Sequence, residues 1–367
     1  MRVLQVNKLY SPWIGGVEKI VQQIAEGLNK RDVLDIDILC CQPKGKGIIE
    51  ENNGVKVYRA SSFGMLWGMP FSFNFLRLFK KISQIVDIID LHQPFFLGDL
   101  AIFIFKPKAK LIVHYHSDIV RQRFFEFLLR PIIFNTLKKS DKIIVSNPNI
   151  LKNSPYLKNV QQKCEIIPFG VDLDNFKGGT EEEIKKIREK YGKFVLFVGR
   201  LNYYKGVKYL IDAMKGFELN LVIIGDGPLK KELKKRVEKL KINERIFFLS
   251  VLKNEDLINF YKASDFLVLP SIFKSEAFGI VLIEAMACGK PIISTELGTG
   301  TSFVNKDGIT GFVVLPRDSK SLSNVIRRII TDDKISLELG ENALNRVREI
   351  FSLEKMLKKT VLIYQNI

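Results

Sequence analysis

Two cations stand five residues apart in Gly199-Arg200-Leu201-Asn202-Tyr203-Tyr204-Lys205-Gly206, directly after an apolar run that reads as a strand. Arginine offers a planar fork to phosphate oxygens and lysine a point charge. In a strand-to-helix loop the pair can neutralise a diphosphate, most usefully one that is leaving; two ordinary surface cations are the alternative. Further along, Ser275-Glu276-Ala277-Phe278-Gly279-Ile280 opens an apolar helix near Gly279 that carries Glu284. A carboxylate in such a helix is costly unless it accepts hydrogen bonds, and ribose hydroxyls would supply them. Glu276 precedes the helix, where capping is its ordinary use, and the helix amino end is itself an anion site. Near the start, Gly15-Gly16 before a helix lets a phosphate or sugar approach backbone N–H groups, or simply makes the turn. The three histidines, His92, His114 and His116, all fall at predicted strand ends. An isolated histidine there is ordinarily structural. His116-Ser117-Asp118, however, follows its strand directly, and His114 shares a face with His116 if that strand continues.

The elements that must position these residues alternate along the chain. Arg2–Asn7, Ile36–Cys41, Val55–Tyr58, Ile88–His92, Lys110–Tyr115 and Lys142–Ser146 read as strands. Val17–Asn29, Ser72–Val86 and Arg121–Lys139 read as helices, with Pro131 a kink or break in the last. The pattern stops around Lys177-Gly178-Gly179-Thr180 and restarts with a charged helix, Glu181–Tyr191, and a strand at Phe194–Val198. Strands are then expected at Leu221–Ile224, Ile246–Leu249, Phe266–Leu269, Pro291–Ser294 and Gly311–Leu315. Helices are expected at Val207–Met214, Leu229–Lys241, Asn254–Lys262, Gly279–Cys288 and Ser319–Ile330, and the last forty residues are helical in pattern. Such alternation predicts an α/β protein of two doubly wound, Rossmann-like domains, with a cleft at the carboxyl ends of their sheets. The boundary is placed at 176/177.

Composition narrows the class. At 367 residues with 46% hydrophobic and 26% charged residues, the chain is globular rather than disordered or collagen-like. The longest uncharged stretch, Ala60–Leu76, barely reaches the length of a spanning helix and contains Gly64, Gly68 and Pro70, so no transmembrane segment is expected. Met1 leads straight into a strand, so no signal peptide is expected. Cys40, Cys41, Cys164 and Cys288 lack CxxC spacing, which argues against structural zinc and disulfides. The chain reads as cytoplasmic. Its net charge is +17, and Lys106–Lys163 holds 12 basic against 3 acidic residues. Such a patch draws phosphates, whether of a diphosphate substrate, an anionic lipid or nucleic acid; a lysine-rich solvated surface is the plain alternative.

Taken together, Gly15-Gly16-Val17-Glu18, His116-Ser117-Asp118, Ile167-Pro168-Phe169-Gly170-Val171-Asp172, Gly199-Arg200 through Lys205-Gly206, Gly225-Asp226-Gly227-Pro228 and the E-x7-E element from Glu276 to Glu284 resemble the motifs of retaining glycosyltransferase family four. They stand in the family's order and span nearly the whole chain. The departure is Phe169, where many members carry Asn. The resemblance implies the GT-B fold, with residues 1–176 as acceptor domain, rejoined by a final helix from 352 to 367, and 177–351 as donor domain. It implies that Arg200 and Lys205 bind the donor diphosphate, Glu284 the ribose and Glu276 the transferred sugar. It also implies that Gly16 gives its N–H to phosphate, that His116 contacts the sugar near the reacting carbon, and that the backbone of Phe278, Gly279 and Ile280 completes the phosphate site. Gly15 and Gly225 belong to the same donor-binding set.

A leaving diphosphate needs cations or N–H dipoles aimed at it. Arg200, Lys205 and a helix end can serve without metal. Asp35-Ile36-Asp37 has the spacing of the metal-holding element of the other main glycosyltransferase fold but lies inside a predicted strand, so neither metal nor cofactor is expected. No residue stands out as the nucleophile that double displacement requires, and same-face attack is the family expectation. The Trp13-Ile14-Gly15-Gly16, His116-to-Val120 and Thr295-to-Thr301 contexts look most like mannosyl- or rhamnosyltransferases of surface polysaccharide synthesis, which favours GDP-mannose as donor. The acceptor is then a sugar or a polyprenyl-linked oligosaccharide. An anionic membrane surface is a candidate partner through the Arg-edged apolar helix Arg121–Arg130, whose alternative reading is a core helix. The rivals are a sugar-nucleotide epimerase of the same architecture, a non-catalytic scaffold and a nucleic-acid-binding protein. The last is suggested only by the charge and lacks aromatic–basic interleaving on a reading module, so no nucleic acid is expected.

Overall fold

The computed structural model describes residues 1–13, 15–29, 34–66, 68–118 and 123–367, with the backbone alone for 123–128. The chain divides into two compact units, Met1–Pro168 with Lys355–Ile367, and Phe169–Glu354. The division precedes the expected 176/177 boundary. Local pairing accounts for this: the Val171 N–H donates to the Phe351 carbonyl (2.8 Å), the Leu353 N–H donates to the Val171 carbonyl (2.9 Å), and the Phe169 ring packs on Phe278 at 4.7 Å.

In the first unit the strands are β1 (Arg2–Val6), β2 (Asp35–Cys41), β3 (Ile48–Asn52), β4 (Val55–Ala60), a two-residue ribbon of β5 (Met65–Leu66) and β6 (Met69–Pro70), β7 (Ile88–Gln93), β8 (Lys110–Tyr115), β9 (Lys142–Val145) and β10 (Cys164–Ile166). Eight of them form one sheet in the order β10-β9-β8-β7-β1-β2-β4-β3. Only β3 runs antiparallel to its neighbour. Parallel strands are covered on both faces and so read as short apolar runs, which is why most were visible in the sequence. Helices Gly16–Asn29, Phe73–Ile82 and Arg123–Lys139 fall where periodicity placed them. Ser72 is the cap rather than the first turn of its helix, accepting the Phe75 N–H at 3.0 Å. Pro131 lies inside one continuous helix and does not end it. Residues 121–122 and the side chains of 123–128 lie outside the described set, so of the Arg-edged face expected at Arg121–Arg130 only Leu129 and the exposed Arg130 are described.

In the second unit the strands are β11 (Phe194–Val198), β12 (Asn220–Ile224), β13 (Ile246–Leu249), β14 (Phe266–Leu269), β15 (Ile292–Thr295) and β16 (Gly311–Val314), all parallel in the order β13-β12-β11-β14-β15-β16. The order reverses at β11. Ligands of open parallel sheets bind beyond the carboxyl ends of strands at such a switch point; here it lies between the loops after β11 and β14. The last helix, Leu353–Gln365, packs on the first unit. Its Leu357 lies so close to Gly27 that an added Cβ there would collide with it.

Beside the switch point, the loops after β11 and β12 touch backbone to backbone. Gly225 has φ 145°, and a Cβ on it would overlap the Gly199 carbonyl oxygen. Gly225→Ala is therefore expected to destabilise the chain by more than about 1 kcal/mol. A melting temperature unchanged from wild type would contradict the close approach.

Candidate functional site

Chemistry-bearing residues gather at the carboxyl ends of the strands in each unit. In the second unit, Gly199 leaves β11 and the chain makes a single turn at Tyr203–Lys205 before the left-handed Gly206 (φ 64°) starts the helix Val207–Ala213. The Ile272 N–H donates to the Tyr204 carbonyl at 2.7 Å, joining this loop to the one after β14. Lys205 is thereby held against Glu276, with Nζ to Oε2 at 2.6 Å and both side chains about nine-tenths buried. The same oxygen accepts the Ser271 hydroxyl at 2.9 Å. Burial pulls the Lys205 ammonium down, but the Glu276 carboxylate and Tyr204 outweigh it, so its pKa stands above the ordinary lysine value. Arg200, on the same loop, is exposed, and among the described residues it has no ion pair.

Glu276 does not cap the following helix. Thr299 Oγ1 donates to its carbonyl at 2.7 Å, and the cap of Ile280–Ala287 is Gly279, left-handed at φ 81°, with no side chain to offer. The first-turn N–H groups therefore lack a side-chain cap, the arrangement in which a helix end can accept an anion. The Phe278 side chain is buried against Phe169 and Phe351, which gives Phe169 a packing role. Glu284, one turn into the helix, is buried, and its Oε2 accepts the Tyr261 hydroxyl at 2.7 Å. Burial first, and then this carboxylate, push the Tyr261 phenol well above its ordinary pKa. Tyr261 and Ser271 were not singled out in the sequence, because nothing near Glu284 or Glu276 along the chain marks them as partners. Gly225 serves the close loop contact described above.

In the first unit Gly15 lies under Glu18, whose carboxylate is buried and stands 3.9 Å from Lys8 Nζ. Gly16 begins its helix. His116 is buried, and its Nε2 lies 2.9 Å from His92 Nδ1. The His92, His114 and His116 rings stack, with centroids 4.6 Å apart for the first pair and 5.2 Å for His92 and His116. The β7–β8 register explains this, since His92 lies opposite His114. Asp90 shares the face of His92. The sequence carried that signal, an Asp-x-His strand beside a His-x-His strand, but Asp90 was not singled out. Its Oδ1 pairs with His114 Nδ1 at 2.8 Å, and its Oδ2 accepts the hydroxyl of Tyr364 from the last helix.

Asp90, His92 and His114 each bring one atom that could ligate a metal, all within 4.8 Å of one another. Both Asp90 oxygens accept hydrogen bonds within the protein, whereas the buried Nε2 of His92 has no hydrogen-bond partner. Asp37 of the Asp35–Asp37 pair bonds Arg2 at 2.8 Å. The same spacing recurs at Asp172-Leu173-Asp174, where Asp172 caps the helix Leu173–Lys177.

Two family models match the chain, Glycosyltransferase Family 4 over residues 14–175 and Glycosyl transferases group 1 over 179–346. The O-antigen chain mannosyltransferase C of Escherichia coli is 34% identical over 370 residues, covering 100% of this chain and 99% of its own. D-rhamnosyltransferase WbpZ of Pseudomonas aeruginosa is 34% identical, covering 96% and 92%. Among solved structures, sucrose-phosphate synthase from Thermosynechococcus elongatus superposes with a TM-score of 0.85 at 21% identity over 99% of this chain and 98% of its own. HepE from Anabaena, in complex with UDP-glucose, does so with a TM-score of 0.82 at 20% identity over the full length of both. These likenesses give the fold as GT-B.

Removing one partner of a buried ion pair costs about 3–5 kcal/mol. Lys205→Ala and Glu276→Ala should each destabilise on that scale, and the double variant less than the sum of the two. Additive losses in chemical unfolding would deny the coupling. A second expectation concerns pH. Burial, then neighbouring histidines, hold His92 and His116 well below 6.5, and Lys8 adds to the effect on His116. Burial raises Asp99 to about 7. Below pH 6.5 the unfolded chain gains two protons at the histidines while the native one gains a proton at Asp99, so unfolding takes up about one net proton from these groups. Their contribution to stability should fall by about 1.4 kcal/mol per pH unit between pH 6.5 and 5. His92→Gln should remove that slope, and parallel stability–pH curves for the two proteins would refute it.

Proposed function

The chain belongs to glycosyltransferase family four, and on that footing we propose that it moves a hexose, with retention and without metal, from GDP-mannose to a sugar or polyprenyl-linked oligosaccharide in surface glycan synthesis. The observation that carries the reading is the buried Lys205–Glu276 pair at the switch point, beside a helix that starts without a cap. Lys205 brings a fixed positive charge to a water-poor place where charge develops on a leaving diphosphate, and exposed Arg200 adds a second. Glu284 accepts ribose hydroxyls alongside Tyr261. In the reaction the bond between the anomeric carbon and the diphosphate oxygen breaks and its electron pair stays on the phosphate. The acceptor hydroxyl attacks from the same face, and its proton passes to the departing phosphate oxygen. Glu276, tied to Lys205 and Ser271, positions the sugar rather than attacking it. Family membership supports the remaining roles, the Gly16 N–H to phosphate beside Gly15 and His116 to the sugar near the reacting carbon. Of two 34%-identical relatives, the one named a mannosyltransferase supports mannose as the sugar, and the other is named a rhamnosyltransferase. We place the work on the cytoplasmic side, at an anionic membrane surface.

Thermal shift in EDTA across GDP-, UDP- and dTDP-sugars tests the donor. At a hundred times its dissociation constant a ligand adds about 2.7 kcal/mol, worth roughly 5–10 °C for a unit of this size. GDP-mannose should give that shift and the others little. Transfer to a synthetic polyprenyl-diphosphate sugar should proceed in EDTA with an α-linked product by NMR, and Lys205→Ala should slow it about 100- to 1,000-fold. A β-linked product, a metal requirement or a shift with another nucleotide alone would each overturn the corresponding part.

A further inference from the structure

The uncharged stretch Ala60–Leu76 has a shape the enzymatic reading leaves unused. Strands β5 and β6 pair with each other alone, and the rings around them face outward. Phe63, Leu66, Phe71 and Phe73 are 71%, 55%, 50% and 65% exposed. The three phenylalanine rings lie within 5.2–6.2 Å of one another. They form one continuous apolar surface rather than scattered single side chains, and such surfaces mark interaction sites. The hairpin is nevertheless well built. Gly45 and Ser62 exchange backbone hydrogen bonds at 2.8 and 2.9 Å, and the Phe63 N–H donates to the Phe71 carbonyl at 3.0 Å.

The charges that flank this tip most closely along the chain are basic. The Gly45–Ser62 bridge sets exposed Lys44 and Lys46 at its base. Arg77, also exposed, stands one helical turn beyond Phe73 on the same face. No Asp or Glu occurs between Glu51 and Asp87. Phenylalanine and leucine side chains on an exposed apolar face bury shallowly between headgroups and acyl chains, and basic residues beside them meet a negative leaflet. Among the described residues no helix is long and apolar enough to cross a membrane, so the contact is a shallow one.

We propose that this hairpin seats the protein on an anionic lipid bilayer, with Phe63, Phe71 and Phe73 at the headgroup boundary and Lys44, Lys46 and Arg77 against lipid phosphates. The inference deepens the membrane part of the proposed function and rests on it for the choice of surface, but not for the donor or the chemistry. Co-flotation of the full chain with vesicles of equal parts phosphatidylglycerol and phosphatidylcholine tests it without donor or acceptor. Wild type should float with these vesicles, far less with pure phosphatidylcholine, and progressively less as salt rises. The exposed-site variant Phe63→Ser/Phe71→Ser should weaken binding about tenfold or more while its melting temperature stays unchanged. Lys44→Glu/Lys46→Glu should weaken binding and flatten the salt dependence. Absence of wild-type binding to the anionic vesicles, or undiminished binding by the phenylalanine variant, overturns the proposal. So does a wild-type dimer in light scattering that the same variant dissolves, since a second copy would then cover the hairpin. Transfer to a soluble acceptor without vesicles reports separately on the transferase reading.

Discussion

Where the loop after β11 meets the loops after β12 and β14, main chain lies on main chain. A side-chain carbon at Gly206 would strike the Pro270 carbonyl, one at Gly225 the Gly199 carbonyl, and one at Gly227 the backbone of Leu201. These contacts admit no slack, and the position of Lys205 follows from them. A surface lysine spends its freedom in water and gains little from an ion pair. Lys205 instead is delivered to Glu276 by its backbone, and the carboxylate is already oriented by Ser271. A buried pair of this kind is weak evidence for stability, because desolvation consumes most of the attraction. What the pair does is hold an ammonium and a carboxylate at fixed positions in a medium of low polarity, a strong local dipole.

The first unit solves a different problem, how to run polar groups through a parallel sheet. Asp90 and His92 on β7, His114 opposite His92 on β8, and His116 just past the end of β8 occupy matched positions. Each is buried, and each finds a partner within the group or in the last helix. Hydrogen-bonded networks of this sort rigidify their surroundings, and in this one the buried Nε2 of His92 has no hydrogen-bond partner. His116 is thus held from behind by residues that never touch the chemistry assigned to it.

Much of this was legible beforehand. The strands of the second unit were found within a residue or so because buried parallel strands are short apolar runs bounded by turn residues. The helix Phe96–Phe105 escaped because Phe96-Leu97-Gly98-Asp99-Leu100-Ala101-Ile102-Phe103-Ile104-Phe105 is apolar nearly all round and shows no period. The edge strand β3 escaped because Glu50 and Glu51 interrupt its alternation. In the site, residue types and loop positions pointed to Lys205, Glu276 and Glu284, but not to their partners. Tyr261 lies 23 residues from Glu284 and Tyr364 lies 274 from Asp90. Hydrogen bonds across such separations leave no periodic trace in a single sequence. Phe169 looked like a departure from its family's pattern until its ring was seen against Phe278.

The tie between Tyr364 and Asp90 also orders events in time. Residues 169–354, the whole second unit, lie between the two halves of the first. On the ribosome, Met1–Pro168 emerges with Asp90 lacking its phenol and Gly27 lacking Leu357. It must wait in that incomplete form while the second unit is made and folds as a unit of its own. The segment Met1–Pro168 is thus made before the second unit and completed only after it.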